Sequence, residues 1–210
     1  MRSNPPLEPT AEKRSGSAAC RWTARTGKLT AVLPRQLITE NEVLIAAALW
    51  LHARGVLPLQ LSVATGRGID ATSCIELLRG QLVAAGVPEG VLRLASTGPD
   101  FTGISATEFW QLECKGAGSG GQSTQRNNFD RALASVVSYY TDSLPNVPDE
   151  LAALRGAVPH LGLALPATPD YLRELTRRVR QPLRLRLNLW VLLYEPAHKA
   201  IRAVAPDADV

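Results

Sequence analysis

Asp100, Glu113 and Lys115 are the residues whose types and spacing point to chemistry. Glu113 and Lys115 lie in Phe109-Trp110-Gln111-Leu112-Glu113-Cys114-Lys115, a segment that reads as a β-strand. Successive side chains on a strand point to opposite faces. Trp110, Leu112 and Cys114 therefore share a core face, and Gln111, Glu113 and Lys115 share the other. Asp100 lies 13 residues before Glu113, behind Gly98 and Pro99, which leaves room for a strand end, a turn and a return strand. That path brings the two carboxylates together. Close carboxylates repel each other unless a cation bridges them. Oxygen donors of this kind suit Mg2+, which keeps several waters and binds a phosphate oxygen. A metal there would polarise a phosphate ester and acidify a bound water. Lys115 would orient that water or neutralise charge building on the phosphoryl oxygens. The alternative reading is a turn aspartate beside a cross-strand ion pair, a common and nearly neutral surface feature.

Lys115 stands out by composition as well. The chain has 19 arginines and four lysines, and Lys115 is the only lysine between Lys28 and Lys199. A compact, titratable ammonium is not interchangeable with a guanidinium. The glycine-rich stretch Gly116–Gly121 follows directly and allows a large substrate to approach closely.

The elements that must position these residues alternate between helical and strand patterns, as in an α/β layer fold. A helix is expected from Glu40 to about Arg54, with Thr39 as N-cap, Glu42 completing a capping box and Gly55 ending it. Then come a strand at about Leu59–Ala64, a Gly66–Arg67–Gly68 turn, a helix over 72–85 and a strand near Val91–Ala95. After the Glu-x-Lys strand, a long helix covers about Thr124–Tyr140, loop signals fill 141–148, and a short helix is expected over 149–155. Leu161–Leu165 reads as a strand. Thr168–Pro169 opens a helix ending near Val179. Arg184–Tyr194 reads as the last long strand, apolar on both faces in its second half. Trp50, Trp110 and Trp190 read as core residues, and Cys114 as a small buried hydrophobe.

Pro99-Asp100 followed by Glu113-Cys114-Lys115 resembles the PD-(D/E)xK nuclease superfamily. The order of helix, strands, helix and strand over roughly residues 35–195 resembles it too. The resemblance implies a restriction-endonuclease-like α/β fold, a central mixed β-sheet flanked by helices. It implies a metal-dependent nuclease with Asp100 and Glu113 as ligands of Mg2+ (or Mn2+) and Lys115 as the catalytic lysine. Many members add a glutamate from the first helix. Glu40 and Glu42 both qualify, and Glu40 is preferred because Glu42 already serves the capping box. Some exonuclease-like members carry Gln-x-x-x-Tyr on the helix after the lysine. Here Ser135 stands four residues before Tyr139, so the glutamine is missing and the pattern departs from that branch.

Charge and composition constrain the partners. Residues 1–28 carry six basic and two acidic side chains, leaving 17 of each in the body. This segment reads as a disordered tail, either a flexible arm near phosphates or simply solvated, and residues 29–210 as one domain. The expected nucleic-acid contacts are Gln122, Gln125, Arg126 and Asn128 at a helix start. Arg177 and Arg184 belong to an arginine-rich stretch over 173–186. The competing reading makes all six ordinary capping or solvated residues. Three scattered cysteines (Cys20, Cys74, Cys114) and three scattered histidines exclude CxxC metal sites, and no GxSxG elbow or Walker loop is present. The longest apolar run, Val43–Leu51, is far short of the roughly 20 residues that span a membrane. No secretory signal is evident. The expectation is a cytoplasmic DNA endonuclease, with a homodimer serving double-strand cutting. A non-catalytic nucleic-acid-binding or scaffold protein on the same fold is the alternative.

Overall fold

A computed structural model describes residues 37–62, 71–88, 93–95, 97–140 and 156–210. The expected tail, the Gly66–Arg67–Gly68 turn, the 141–148 loop and the 149–155 helix lie outside the described residues.

Thr39 starts helix α1 (Glu40–His52) through the expected capping box: its hydroxyl accepts the Glu42 N–H, and the Glu42 carboxylate accepts the Thr39 N–H. These bonds satisfy two amides that a helix start otherwise leaves open. Gly55, at φ 85°, turns the chain beyond the helix. Val43, Leu44, Ala47, Ala48 and Leu51 are buried along α1. Strand β1 (Leu57–Ser62), helix α2 (Ala71–Ala84) and strand β2 (Arg93–Ala95) follow. Strands β3 (Phe101–Ile104) and β4 (Glu108–Cys114) form an antiparallel hairpin. Helix α3 (Gln122–Ser138) leads to β5 (Val158–Pro166). Helices α4 (Pro169–Arg178) and α5 (Gln181–Leu187) precede β6 (Leu189–Glu195) and β7 (Ala200–Val204).

The strands form one seven-stranded mixed sheet in the order β2-β1-β3-β4-β5-β6-β7. β4, β5 and β6 are parallel neighbours at its centre. The near-continuous apolar stretches of β5 and β6 fit burial on both faces. Leu161 and every residue from Leu163 to Leu165 are buried, as are Val191 to Tyr194. Helix α1 packs on one face, where Trp50 meets the buried Trp110 edge-to-face at 6.5 Å. Helix α3 packs against β4, β5 and α4. Trp50 and Trp190 are only partly buried, so the expected three-tryptophan core is fully enclosed at Trp110 alone. Among the described residues no helix is long and apolar enough to cross a membrane.

The expected strand over Arg184–Tyr194 is corrected: residues 181–187 form α5, and only Leu189 onward is strand. The alternation Leu183-Arg184-Leu185-Arg186-Leu187 mimics a period of two. Pro182 in the first turn favours the helix, and Asn188 at φ 47° ends it in the left-handed conformation.

Candidate active site

The β3–β4 register sets the first distance. Phe101 pairs with Leu112, so Asp100 falls beside Glu113 at the end of the hairpin. Gly98, at φ 94°, turns the chain just before Pro99 and Asp100. Asp100 Oδ2 accepts the Cys114 N–H at 2.7 Å, while its backbone carbonyl accepts the Ser62 N–H at 2.9 Å. Asp100 is thus fixed to both neighbouring strands, to β4 by its carboxylate and to β1 by its backbone.

Glu113 and Lys115 point together, as strand alternation requires. Lys115 Nζ lies 2.9 Å from Glu113 Oε1, 3.2 Å from Glu40 Oε2 and 3.9 Å from Asp100 Oδ2. It also donates to the Cys114 carbonyl at 2.7 Å. Of the two candidate glutamates, Glu40 joins this cluster and Glu42 remains in the capping box. Gly116 makes the approach of α1 possible. A Cβ there would sit 2.4 Å from the Ile38 carbonyl oxygen and 2.7 Å from the Glu40 nitrogen. Ile38 and Ala117 bridge across this point through two backbone hydrogen bonds of 3.0 and 2.8 Å.

Three carboxylates face one ammonium, and the protonation equilibria follow. Burial, with the charge of Glu113 second, pushes Asp100 up from 3.8 to about 7; the Cys114 N–H and Lys115 oppose this only in part. Burial works against the charge on Lys115. The hydrogen bond to Glu113 and the charges of Glu40 and Asp100 outweigh it, so the pKa rises and Lys115 stays an ammonium. Cys114 is a fully buried free thiol with a raised pKa, behind the site rather than in it.

Tyr139, the C-cap of α3, donates its hydroxyl to Glu113 Oε2 at 2.8 Å. In the sequence Tyr139 stands only at the end of an incomplete Gln-x-x-x-Tyr pattern. The signal for its position is periodicity: Phe129, Ala132 and Val136 are the buried face of α3, and 139 is next on that face. Tyr171, buried on α4, belongs to no sequence motif; it donates to the Gly116 carbonyl at 2.8 Å and steadies the chain just past Lys115.

The expected nucleic-acid residues separate by exposure. Gln122 and Arg126 are exposed on the first turns of α3, and Arg177 is exposed on α4. Asn128 is half-buried and lies near the Tyr171 hydroxyl. Gln125 is buried, its Nε2 donating to the Gly118 carbonyl at 3.1 Å. Arg184 is corrected from an exposed strand position to a buried helical one. Its guanidinium donates to the carbonyls of Ala205 (3.0 Å) and Ala208, which ties α5 to the C-terminal segment.

Fold and site together define an α/β protein with a carboxylate–lysine cluster at the C-terminal end of the central strand β4. The chain matches no protein-family model, no curated protein and no solved structure. Among the described residues no three His, Cys, Asp or Glu side chains are gathered as a ready metal-holding set. In this arrangement the Lys115 ammonium stands between the carboxylates. The donor chemistry nevertheless fits Mg2+: two hard carboxylates, Asp100 and Glu113, where one or two plus water and substrate oxygens suffice. The raised pKa of Asp100 marks the excess negative charge that such an ion would neutralise.

Proposed function

We propose that the chain is a metal-dependent nuclease on the restriction-endonuclease-like plan, an endonuclease hydrolysing phosphodiester bonds in DNA. The observation that carries this is the convergence of Glu40, Asp100 and Glu113 on Lys115 Nζ, all within 3.9 Å. The element order supports it as well. α1, β1, the β3–β4 hairpin, α3 and β5 follow the resemblance in sequence, with α2 and β2 as an insertion.

Asp100 and Glu113 would hold Mg2+, or Mn2+ in its place. Such an ion supplies Lewis-acid polarisation of the phosphate and a lower pKa for a bound water. Lys115, kept charged by its neighbours, neutralises charge building on the phosphoryl oxygens as water attacks phosphorus and one ester P–O bond breaks. Glu40 holds Lys115 in place through an ion pair of 3.2 Å. Gln122, Arg126 and Arg177 are exposed and meet the DNA backbone, giving binding that weakens with salt. On this reading the enzyme is cytoplasmic and acts as a homodimer when both strands are cut.

The test is cleavage of duplex, single-stranded and branched DNA in magnesium or manganese, with Glu113→Gln purified in parallel. Wild type cuts at least one substrate and the variant falls to background. Intact DNA throughout, or equal cutting by both preparations, sinks the proposal. Tyr139→Phe is expected to leave the fold intact, with a stability cost of about 1 kcal/mol. Losing a hydrogen bond that orients a ligand carboxylate weakens metal affinity or activity roughly 10–100-fold. Magnesium-dependence curves of cleavage check this, and coincident curves for the two proteins would rule it out.

One observation favours the scaffold alternative: the Lys115 ammonium itself supplies a cation to Glu40 and Glu113. Calorimetric titration with magnesium and manganese separates the two. Absence of heat supports a non-catalytic binding protein.

A further inference from the structure

Lys115 Nζ lies 2.9 Å from Glu113 Oε1 and 3.9 Å from Asp100 Oδ2, the two carboxylates whose chemistry suits Mg2+. Glu113 Oε2 already accepts the Tyr139 hydroxyl, and Asp100 Oδ2 accepts the Cys114 N–H. Oε1 is therefore the Glu113 oxygen turned toward a cation, and the ammonium is the cation it meets. A magnesium ion bound to that oxygen at about 2.1 Å would lie within roughly 5 Å of Nζ. Two cations that close repel each other appreciably in a site shielded from water. Lysine and metal thus compete for one place.

The lysine is able to leave. Its side chain is 16% exposed and that of Glu40, its partner at 3.2 Å, is 26% exposed, so the cluster meets solvent. A lysine carries its charge on a flexible four-carbon stem, unlike the rigid fork of arginine. In an arginine-rich chain, Lys115 is the only lysine between Lys28 and Lys199. Its remaining anchor, the Cys114 carbonyl at 2.7 Å, is a neutral acceptor. A phosphate oxygen is a charged acceptor, and a charge-assisted hydrogen bond to it is the stronger of the two.

We propose that Lys115 occupies the metal's place between Asp100 and Glu113 until a backbone phosphate of DNA draws its ammonium away, so that metal and DNA each tighten the binding of the other. This rests on the nuclease reading and deepens it by naming how the same site is regulated: the metal is held weakly by the free protein and firmly by the DNA-bound one. The coupling is reciprocal, because a lysine moved by the metal is equally a lysine released toward phosphate.

The test is a binding cycle with the full chain, manganese and a short duplex whose phosphorothioate linkages resist hydrolysis. Calorimetry gives the manganese affinity with and without the duplex, and fluorescence anisotropy gives the duplex affinity with and without manganese. Lys115→Met keeps the length of the side chain and removes its charge. Without DNA the variant should bind manganese more tightly than wild type. The factor by which DNA tightens manganese binding should be about tenfold smaller in the variant. A lysine that merely repels the metal from a fixed position would weaken manganese binding equally with and without DNA. Equal coupling factors in the two proteins therefore overturn the displacement and leave the nuclease reading standing. Thermal melts in manganese show whether Lys115→Met is folded; if it is not, Lys115→Gln takes its place in the cycle. If wild type fails to bind either manganese or the duplex, the nuclease reading falls, and the displacement with it.

Discussion

Replacing Lys115 with alanine should lower the melting temperature of the metal-free protein at pH 8 by roughly 6–12 °C, and magnesium should restore most of that loss. The reason is local charge. Lys115 Nζ is the cation that Glu40, Asp100 and Glu113 share, and the Glu113 and Asp100 side chains are only 9% and 13% exposed. Removing one partner of a buried pair leaves the others uncompensated and costs about 3 kcal/mol or more. For a domain of this size each kcal/mol moves the midpoint by roughly 2–4 °C. The loss should shrink at pH 5, because Asp100, with its pKa near 7, is then protonated and the residual repulsion is smaller. A divalent ion replaces the missing charge in the folded state alone and so restores stability. Cleavage is not restored, since stabilisation of the developing charge is lost, an effect on the order of 10³-fold. A melting series with and without magnesium decides the matter. If magnesium leaves the melting temperatures of both the variant and wild type unmoved, the carboxylates do not form a cation site.

The pairing of Glu113 with Lys115 is legible in the sequence because strand alternation leaves no other arrangement. The neighbourhood of Asp100 is legible only as a possibility of chain length. The register that seats it beside Glu113 depends on β3, four residues long and containing Gly103, too short to announce itself. Glu40 is separated from Glu42 by the capping box, which is a local signal, but its reach to Lys115 depends on the bare backbone of Gly116. Tyr139 and Tyr171 act through contacts 26 and 55 residues away in sequence, and no local pattern carries that information. Arg184 shows the opposite failure. A local pattern of alternating leucine and arginine was strong, and Pro182 with Asn188 overrode it. Carbonyls at 205 and 208 then withdrew the guanidinium from the surface on which the arginine stretch placed it.

Asp100→Asn should do the reverse of the lysine substitution: it stabilises the metal-free protein above pH 7 and abolishes cleavage. In the folded protein the Asp100 carboxyl titrates near 7, above its ordinary 3.8, because burial and Glu113 disfavour the charge. A group raised in this way contributes stability that is fully present below about pH 4 and is lost as pH rises through 7. At pH 8 the wild-type fold therefore carries the cost of a charged, crowded Asp100. The full difference in pKa would correspond to up to ~4 kcal/mol. Relaxation and the retained attraction of Lys115 reduce the gain to about half that. Asparagine stays neutral at every pH and still accepts the Cys114 N–H through its side-chain oxygen. The expected result is a melting temperature roughly 4–8 °C above wild type at pH 8, converging on wild type at pH 5. Magnesium should stabilise wild type and leave Asp100→Asn unmoved, because a neutral amide neither repels Glu113 nor binds the ion well. A variant that melts at or below wild type at pH 8 would mean that Asp100 is a structural ion-pair partner of Lys115. A gain in stability with loss of the magnesium response would instead be the pattern of a residue kept under strain for its chemistry.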